Sequence, residues 1–372
     1  MHDPLPPVIA FAPMATSERR RVLVIHTGGT MGMWRNAEGT FEPRRGHLSE
    51  LIQSMPELAS ASPPIPEFDL LELDELLDSS AMTPLDWYRI ARRIAFGYDD
   101  YHGFVVLHGT DTLSFTASAL SFLLRGLDRP VILTGSQIPL QEPRNDAREH
   151  LLTSLILAAR PDVPPEVCVY FHGELLRGNR TTKVDADGYD AFESPNYPPL
   201  GRVGVRIELG PGSPWRPALV PPDLDLGDAG MSALPIGTFR IYPGVDPSVI
   251  GRMIPEGEKG FGLVLETFGA GNGPEQGLRP VLERAIAEGV VVVNVTQCLR
   301  GTVNPKLYAA GSWMQAIGVT SGLDLTPEAA VAKLYWLLRR FPRRHQADAI
   351  RAWMPRNLRG ELTATPSTES PV

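Results

Sequence analysis

The sequence predicts an α/β protein built on parallel sheets, and three observations lead there. Short β-branched apolar runs alternate with helical patterns along most of the chain, which favours parallel strands joined by helical crossovers. Each run breaks into a polar loop containing Gly, Thr or Ser, as ligand-binding loops do at the carboxyl edge of an open sheet. A Pro-rich stretch then separates a second, smaller unit of the same kind. Its 372 residues, 43% hydrophobic and 21% charged, suffice for about two domains with large cores.

Val22, Leu23, Val24 and Ile25 read as a strand buried on both faces, running into TGGTMG at 27–32. Gly28 and Gly29 allow a sharp turn that presents Thr27 and Thr30 at the strand end. Alone, this is equally a Gly-rich turn or a nucleotide loop. A short helix is expected over 46–55, then a proline-punctuated connection over 56–66 and a strand over 70–73 leading to DSSAMTP at 78–84. Thr83 as N-cap with Pro84 at the first helical position opens a helix carrying Trp87, Ile90 and Ile94. The run 104–107 is a strand ending in HGTDT at 108–112, and 114–125 is a helix stopped by Gly126. A strand over 131–133 ends in TGSQIP at 134–139; a helix over 146–159 and a strand over 167–171 follow.

The boundaries expected are a loose extension over 1–20, an N-terminal α/β domain over 21–209, a linker over 210–235, a C-terminal α/β domain over 236–362 and a disordered tail over 363–372. Residues 203–209 alternate like a half-exposed strand. Five prolines within 210–222 mark the linker. In the second unit, strands are expected over 236–241, 262–266 and 290–295. Asp246-Pro247 and Thr326-Pro327 open helices.

The net charge of −8 argues against nucleic acid as the main partner. Cys168 and Cys298 read as packed thiols of a reducing compartment. The N-terminus has an acidic residue and prolines where a secretory signal needs a basic and an unbroken apolar segment. The expectation is a cytoplasmic protein without membrane contact.

A threonine hydroxyl needs a neighbour to take its proton before it can attack. Thr30, Thr110 with Asp111, and Lys183 in RGNRTTK at 177–183 supply the parts of such a relay. Each also has an ordinary reading: Asp111 as a helix cap, Lys183 as a solvated charge, His108 as a satisfied loop histidine.

Together with TQC at 296–298, these motifs resemble the L-asparaginases, specifically the bacterial type I or cytoplasmic branch, over residues 21–362. The resemblance implies an N-terminal doubly wound, flavodoxin-like parallel-sheet domain, a smaller C-terminal α/β domain, and homodimers or homotetramers. It implies hydrolysis of L-asparagine to L-aspartate and ammonia without a cofactor, through an acyl ester on Thr30. Thr110, Asp111 and Lys183 match the second catalytic group, and Ser79, Asp111 and, less closely, Ser80 match the groups that hold the substrate's α-carboxylate and α-amino group. Asn272 matches an asparagine that reaches the neighbouring subunit's site, although among glycines it also reads as a left-handed turn residue.

Two departures stand out. Phe41 occupies the position of the family's lid tyrosine, and Tyr308 is the candidate substitute. Glu266 replaces an arginine of an allosteric site near Cys298 in some relatives, so weak or absent allostery is expected. The alternatives are a glutaminase or mixed asparaginase-glutaminase, separated by about 1–3 kcal/mol per methylene, and a non-catalytic amino-acid sensor. A dinucleotide binder would need a glycine pattern that TGGTMG does not have.

Overall fold

The computed structural model describes residues 9–11, 20–59, 65–210, 235–304 and 309–363. The chain divides into two compact units, Met1–Met231 and Ser232–Val372. Among the described residues no helix is long and apolar enough to cross a membrane.

The first unit is organised on a nine-stranded sheet. Its strands are β1 (Ile9–Phe11), β2 (Arg21–Gly28), β3 (Glu67–Leu77), β4 (Gly103–Leu107), β5 (Val131–Thr134), β6 (Val167–Phe171), β7 (Glu174–Arg177), β8 (Gly201–Val203) and β9 (Ile207–Leu209). The spatial order is β1-β3-β2-β4-β5-β6-β7-β8-β9. The five strands β3-β2-β4-β5-β6 are mutually parallel. Counted along the chain, that is the 2-1-3-4-5 order of flavodoxin-like sheets, whose switch point lies between β2 and β4.

Alternation along each strand builds two cores. Val22, Val24, Val105, Leu107 and Ile132 face one side with helix α3 (Ala147–Ala159). Leu23, Ile25, Phe104, Val106, Val131 and Leu133 face the other, covered by α1 (Pro84–Phe96) and α2 (Leu113–Leu123). These side chains are at most 2% exposed, and each stabilises the fold by about 1.5–3 kcal/mol. With both faces dry, only strand ends and loops remain for polar chemistry.

The second unit has four parallel strands in sequential order, β10 (Ile236–Arg240), β11 (Phe261–Thr267), β12 (Val290–Thr296) and β13 (Thr320–Ser321). Leu263, Leu265, Val290 and Val292 pack toward α4 (Leu278–Ala287), while Val264, Val291, Val293 and Val295 pack toward α5 (Pro327–Arg340). Within α5, Lys333 is fully buried; it donates to Arg356 O and pairs with Glu361 at 2.5 Å.

Several expectations need correcting. The extension is not wholly loose, because Ile9–Phe11 adds an antiparallel edge strand to β3. The connection after residue 55 begins with a helical turn, Pro56–Ala59, since proline is well suited to a first turn. The half-exposed strand over 203–209 is a hairpin, β8 with β9. Helix α2 ends at Leu123, with extended Leu124 stopping it before Gly126. Thr363 is held by two hydrogen bonds to Asp324, at 2.8 and 2.6 Å, so it belongs with the second unit; residues 364–372 lie outside the described residues. The prolines of 211–222 lie outside the described residues.

Candidate active site

The loops after β2, β3 and β4 meet through glycine. Gly29 has φ +82° and lies so close to the next loop that a Cβ on it would stand 2.4 Å from Gly109 N. A Cβ on Gly109 would in turn meet Ser79 Oγ at 2.6 Å. No side chain larger than hydrogen fits at either contact, so the glycines let three polar loops close onto one another at the switch point.

Thr30 opens a 3₁₀ turn, Thr30–Gly32, directly after Gly29. Its hydroxyl has no hydrogen-bond partner among the described residues, and the residue is partly exposed. Thr27, by contrast, is buried and donates to Leu107 O at 3.0 Å, tying β2 to β4. The strand thus uses one threonine for structure and leaves the other available.

Thr110 and Asp111 occupy the 3₁₀ turn Thr110–Thr112 after β4. Lys183 Nζ donates to Thr110 Oγ1 at 2.8 Å and to Asp111 Oδ1 at 2.8 Å, its own side chain only 18% exposed. The capping reading of Asp111 and the solvated reading of Lys183 are both set aside by this contact. Thr112 holds the N-cap position of α2 instead. Among the described residues this is a compact hydroxyl–ammonium–carboxylate cluster, built from β4 and the strand Thr182–Lys183 that pairs with Phe192–Glu193.

Sequence reasoning missed Gln137. The Thr110 hydroxyl donates to Gln137 Oε1 at 3.3 Å, and Gln137 Nε2 donates to Gly188 O at 3.0 Å. The Gln137 and Ile138 N–H groups donate to the Asp146 carboxylate at 2.8 and 3.0 Å. The available signal was its position, three residues past Thr134 in a strand-end loop like those already singled out.

Ser79 is buried and Ser80 exposed; Thr112 Oγ1 donates to Ser79 O at 2.8 Å, and Ser80 N–H donates to Asp78 Oδ1 at 2.9 Å. His108 is buried and serves structure: Nδ1–H donates to Gly109 O at 2.7 Å and Nε2 accepts from Thr116 Oγ1 at 2.8 Å. Burial pushes its pKa down to about 4, so the ring is neutral, as those two bonds require. Phe41 stands half-exposed on the hairpin Met33–Arg35/Phe41–Pro43 that follows the Thr30 turn, with the Arg35 guanidinium 4.4 Å from its ring centroid.

In the second unit, Asn272 closes the turn after β11, with Phe268 N–H donating to Asn272 O at 2.9 Å. The positive φ angles belong to Gly269 and Gly271, so Asn272 is not the left-handed residue. Glu266 faces Arg240 across β10 and β11 at 3.6 Å. Cys168 is a packed thiol, but Cys298 is exposed, because the strand stops at Thr296 and the cysteine falls in the polar loop beyond it. Tyr308 lies outside the described residues.

Residues 21–213 match the family described as Asparaginase, N-terminal, and residues 236–354 match the Glutaminase/Asparaginase C-terminal domain. The chain is 44% identical to L-asparaginase 1 of Escherichia coli K12 over 352 residues, 93% of this chain and 99% of that protein. It is 40% identical to the mouse 60 kDa lysophospholipase over 95% of this chain and 64% of that protein. The crystal structure of L-asparaginase I from Vibrio cholerae superposes with a TM-score of 0.80 at 41% identity, covering 93% of this chain and 100% of that one.

Proposed function

The chain belongs to the asparaginase family, and from that premise we propose that it hydrolyses L-asparagine to L-aspartate and ammonia through an acyl ester on Thr30. The observation that carries this reading is the Lys183–Thr110–Asp111 cluster beside the glycine-packed turn of an unpartnered Thr30 hydroxyl.

Thr30 Oγ1 attacks the side-chain amide carbon; its proton passes to the departing nitrogen, which leaves as ammonia. A water then adds to the ester carbon, giving its proton to the Thr110–Lys183 pair, and that proton returns to Thr30 Oγ1 as the C–O bond to Thr30 breaks, releasing aspartate and the free hydroxyl. Asp111 keeps the lysine directed at Thr110 and, with Ser79, receives the substrate's α-amino and α-carboxylate groups. Ser80 is the weaker binding candidate because it is exposed, whereas Ser79 is buried beside the Gly109 loop. In this reading Tyr308 stands in for the phenol missing at Phe41, Asn272 completes a neighbouring subunit's site in a homodimer or homotetramer, and the protein works in the cytoplasm without a cofactor.

Ammonia release from L-asparagine, D-asparagine and L-glutamine, with fatty-acid release from lysophosphatidylcholine as a control for the other named relative, tests the proposal. The expected result is preferential turnover of L-asparagine that vanishes in Thr30→Ala. Tight asparagine binding without turnover overturns it in favour of a sensor, and a preference for glutamine moves the substrate assignment.

A further inference from the structure

We propose that Gln137 is a positioning residue for Thr110, its side-chain carbonyl competing with Lys183 for the single hydroxyl proton. The orientation of its amide follows from its partners. Gly188 O can only accept, so the Gln137 nitrogen must face it and the oxygen must face Thr110. That oxygen can only accept, so Thr110 is the donor in the 3.3 Å contact. Thr110 has one proton to give. With that proton on Gln137, the lone pairs of Oγ1 face the N–H of Lys183 at 2.8 Å, the arrangement suited to an ammonium.

For Lys183 to take a proton from Thr110, the hydroxyl has to swing away from Gln137 and donate to an uncharged Nζ. The bond it gives up is long for O–H···O and correspondingly weak. Gln137 therefore holds the resting rotamer lightly and releases it when Lys183 loses its charge. The backbone beneath it is fixed by Asp146, so the side chain can be changed without loosening the loop. Three carboxylates belong to the same surroundings: Asp111 in contact, Asp185 interacting through space, and Glu193 on the paired strand opposite Thr182.

The kinetic part of this inference rests on the asparaginase reading; a second arm does not. Gln137→Glu keeps the shape and adds a negative charge, favouring the ammonium, whereas Gln137→Met removes the competing acceptor and favours the amine. The acid limb of the kcat profile moves to higher pH in the first and lower pH in the second, by about one pH unit each. KM for asparagine changes by less than about threefold. The chain has only four lysines, Lys183, Lys259, Lys306 and Lys333. NMR of ¹³C-lysine-labelled protein without substrate, assigned with Lys183→Met, follows the Lys183 titration directly and shows the same opposed displacements. Wild-type midpoints in both variants, or displacement in one direction, overturn the inference. A wild type that releases no ammonia while the NMR midpoints move apart overturns the asparaginase reading alone.

Discussion

At the carboxyl ends of β2 and β3 the hydroxyls of Thr30 and Ser79 have no hydrogen-bond partner among the described residues. At the same ends of β11 and β12, four polar side chains are engaged within the unit. Thr267 Oγ1 donates to Asn294 Oδ1 at 2.6 Å, Asn294 Nδ2 to Gly271 O at 3.1 Å, Thr296 Oγ1 to Gly269 O at 2.6 Å, and Gln297 Nε2 to Ile241 O at 2.7 Å. Both edges belong to parallel sheets and both carry threonines. In the second unit the polar groups fix their own loops, the usual fate of buried polar atoms; in the first, glycine packing fixes the loops and leaves hydroxyls for a ligand. A sheet edge becomes a site when something other than its reactive side chains holds it together.

The largest expected effect separates charge from chemistry at the first edge. Of 35 basic residues only four are lysines, yet one of them stands at position 183. Arginine can supply a positive charge but does not give up its proton at neutral pH. Lys183→Arg is expected to lower kcat by about 10³-fold or more while the fold persists. Circular dichroism beside the ammonia assay checks it, and an arginine variant with near-normal kcat would mean that only the charge matters.

The second unit answers in stability. Glu361 accepts from Leu358 N–H at 3.0 Å and holds the buried ammonium of Lys333, which burial pushes toward its neutral form. Glu361→Ala leaves that group unpaired and is expected to cost about 3–5 kcal/mol, with kcat of the folded fraction unchanged. Denaturant unfolding measures the loss.

Acid distinguishes the units as well. His108, His150 and His102 in the first unit all have pKa values lowered by burial, His108 to about 4. An unfolded histidine titrates near 6.5, so between those values the unfolded chain binds more protons. The His108 contribution is complete above about pH 6.5 and is lost as pH falls toward 4, at most about 3 kcal/mol. The second unit has only His345, which is exposed. Amide exchange should therefore accelerate in β2, β4 and β5 over that range before it does in β11 and β12, and His108→Gln should flatten the dependence.

Most strands of both sheets were legible because apolar β-branched runs stop abruptly at Gly and Thr, and capped helices because Thr83-Pro84, Asp246-Pro247 and Thr326-Pro327 are local signals. What escaped depends on distance in the chain. The tie from Gln137 to Gly188 spans 51 positions and was missed, whereas the pairing of Asp111 with Lys183, which spans 72, was reached only through the resemblance. Before folding, a carboxylate after a strand looks the same whether it caps a helix or faces a lysine. Lys333 did leave a trace, a charge within the apolar stripe of Ala329, Ala330, Leu334 and Leu337, but its partner lies 28 residues on.

The smallest expected effect goes to the root of the comparison, because it touches no reactive group. At Gly29 the φ of +82° disfavours any L side chain, and a methyl would press on the Gly109 backbone. Gly29→Ala must push the Thr30 turn away from the Thr110 turn by a fraction of an ångström. A displacement of that order is expected to lower kcat by about 10²-fold. A methyl on Gly269 would have no protein atom closer than 3.9 Å, so Gly269→Ala in the second unit meets only the left-handed backbone cost, about 1 kcal/mol. Measuring kcat and melting temperature for both variants separates the two edges: activity falls further than stability at Gly29, and stability alone falls at Gly269. Equal activity losses would mean that glycine packing does not set the Thr30 position, and that the first edge is held as the second one is.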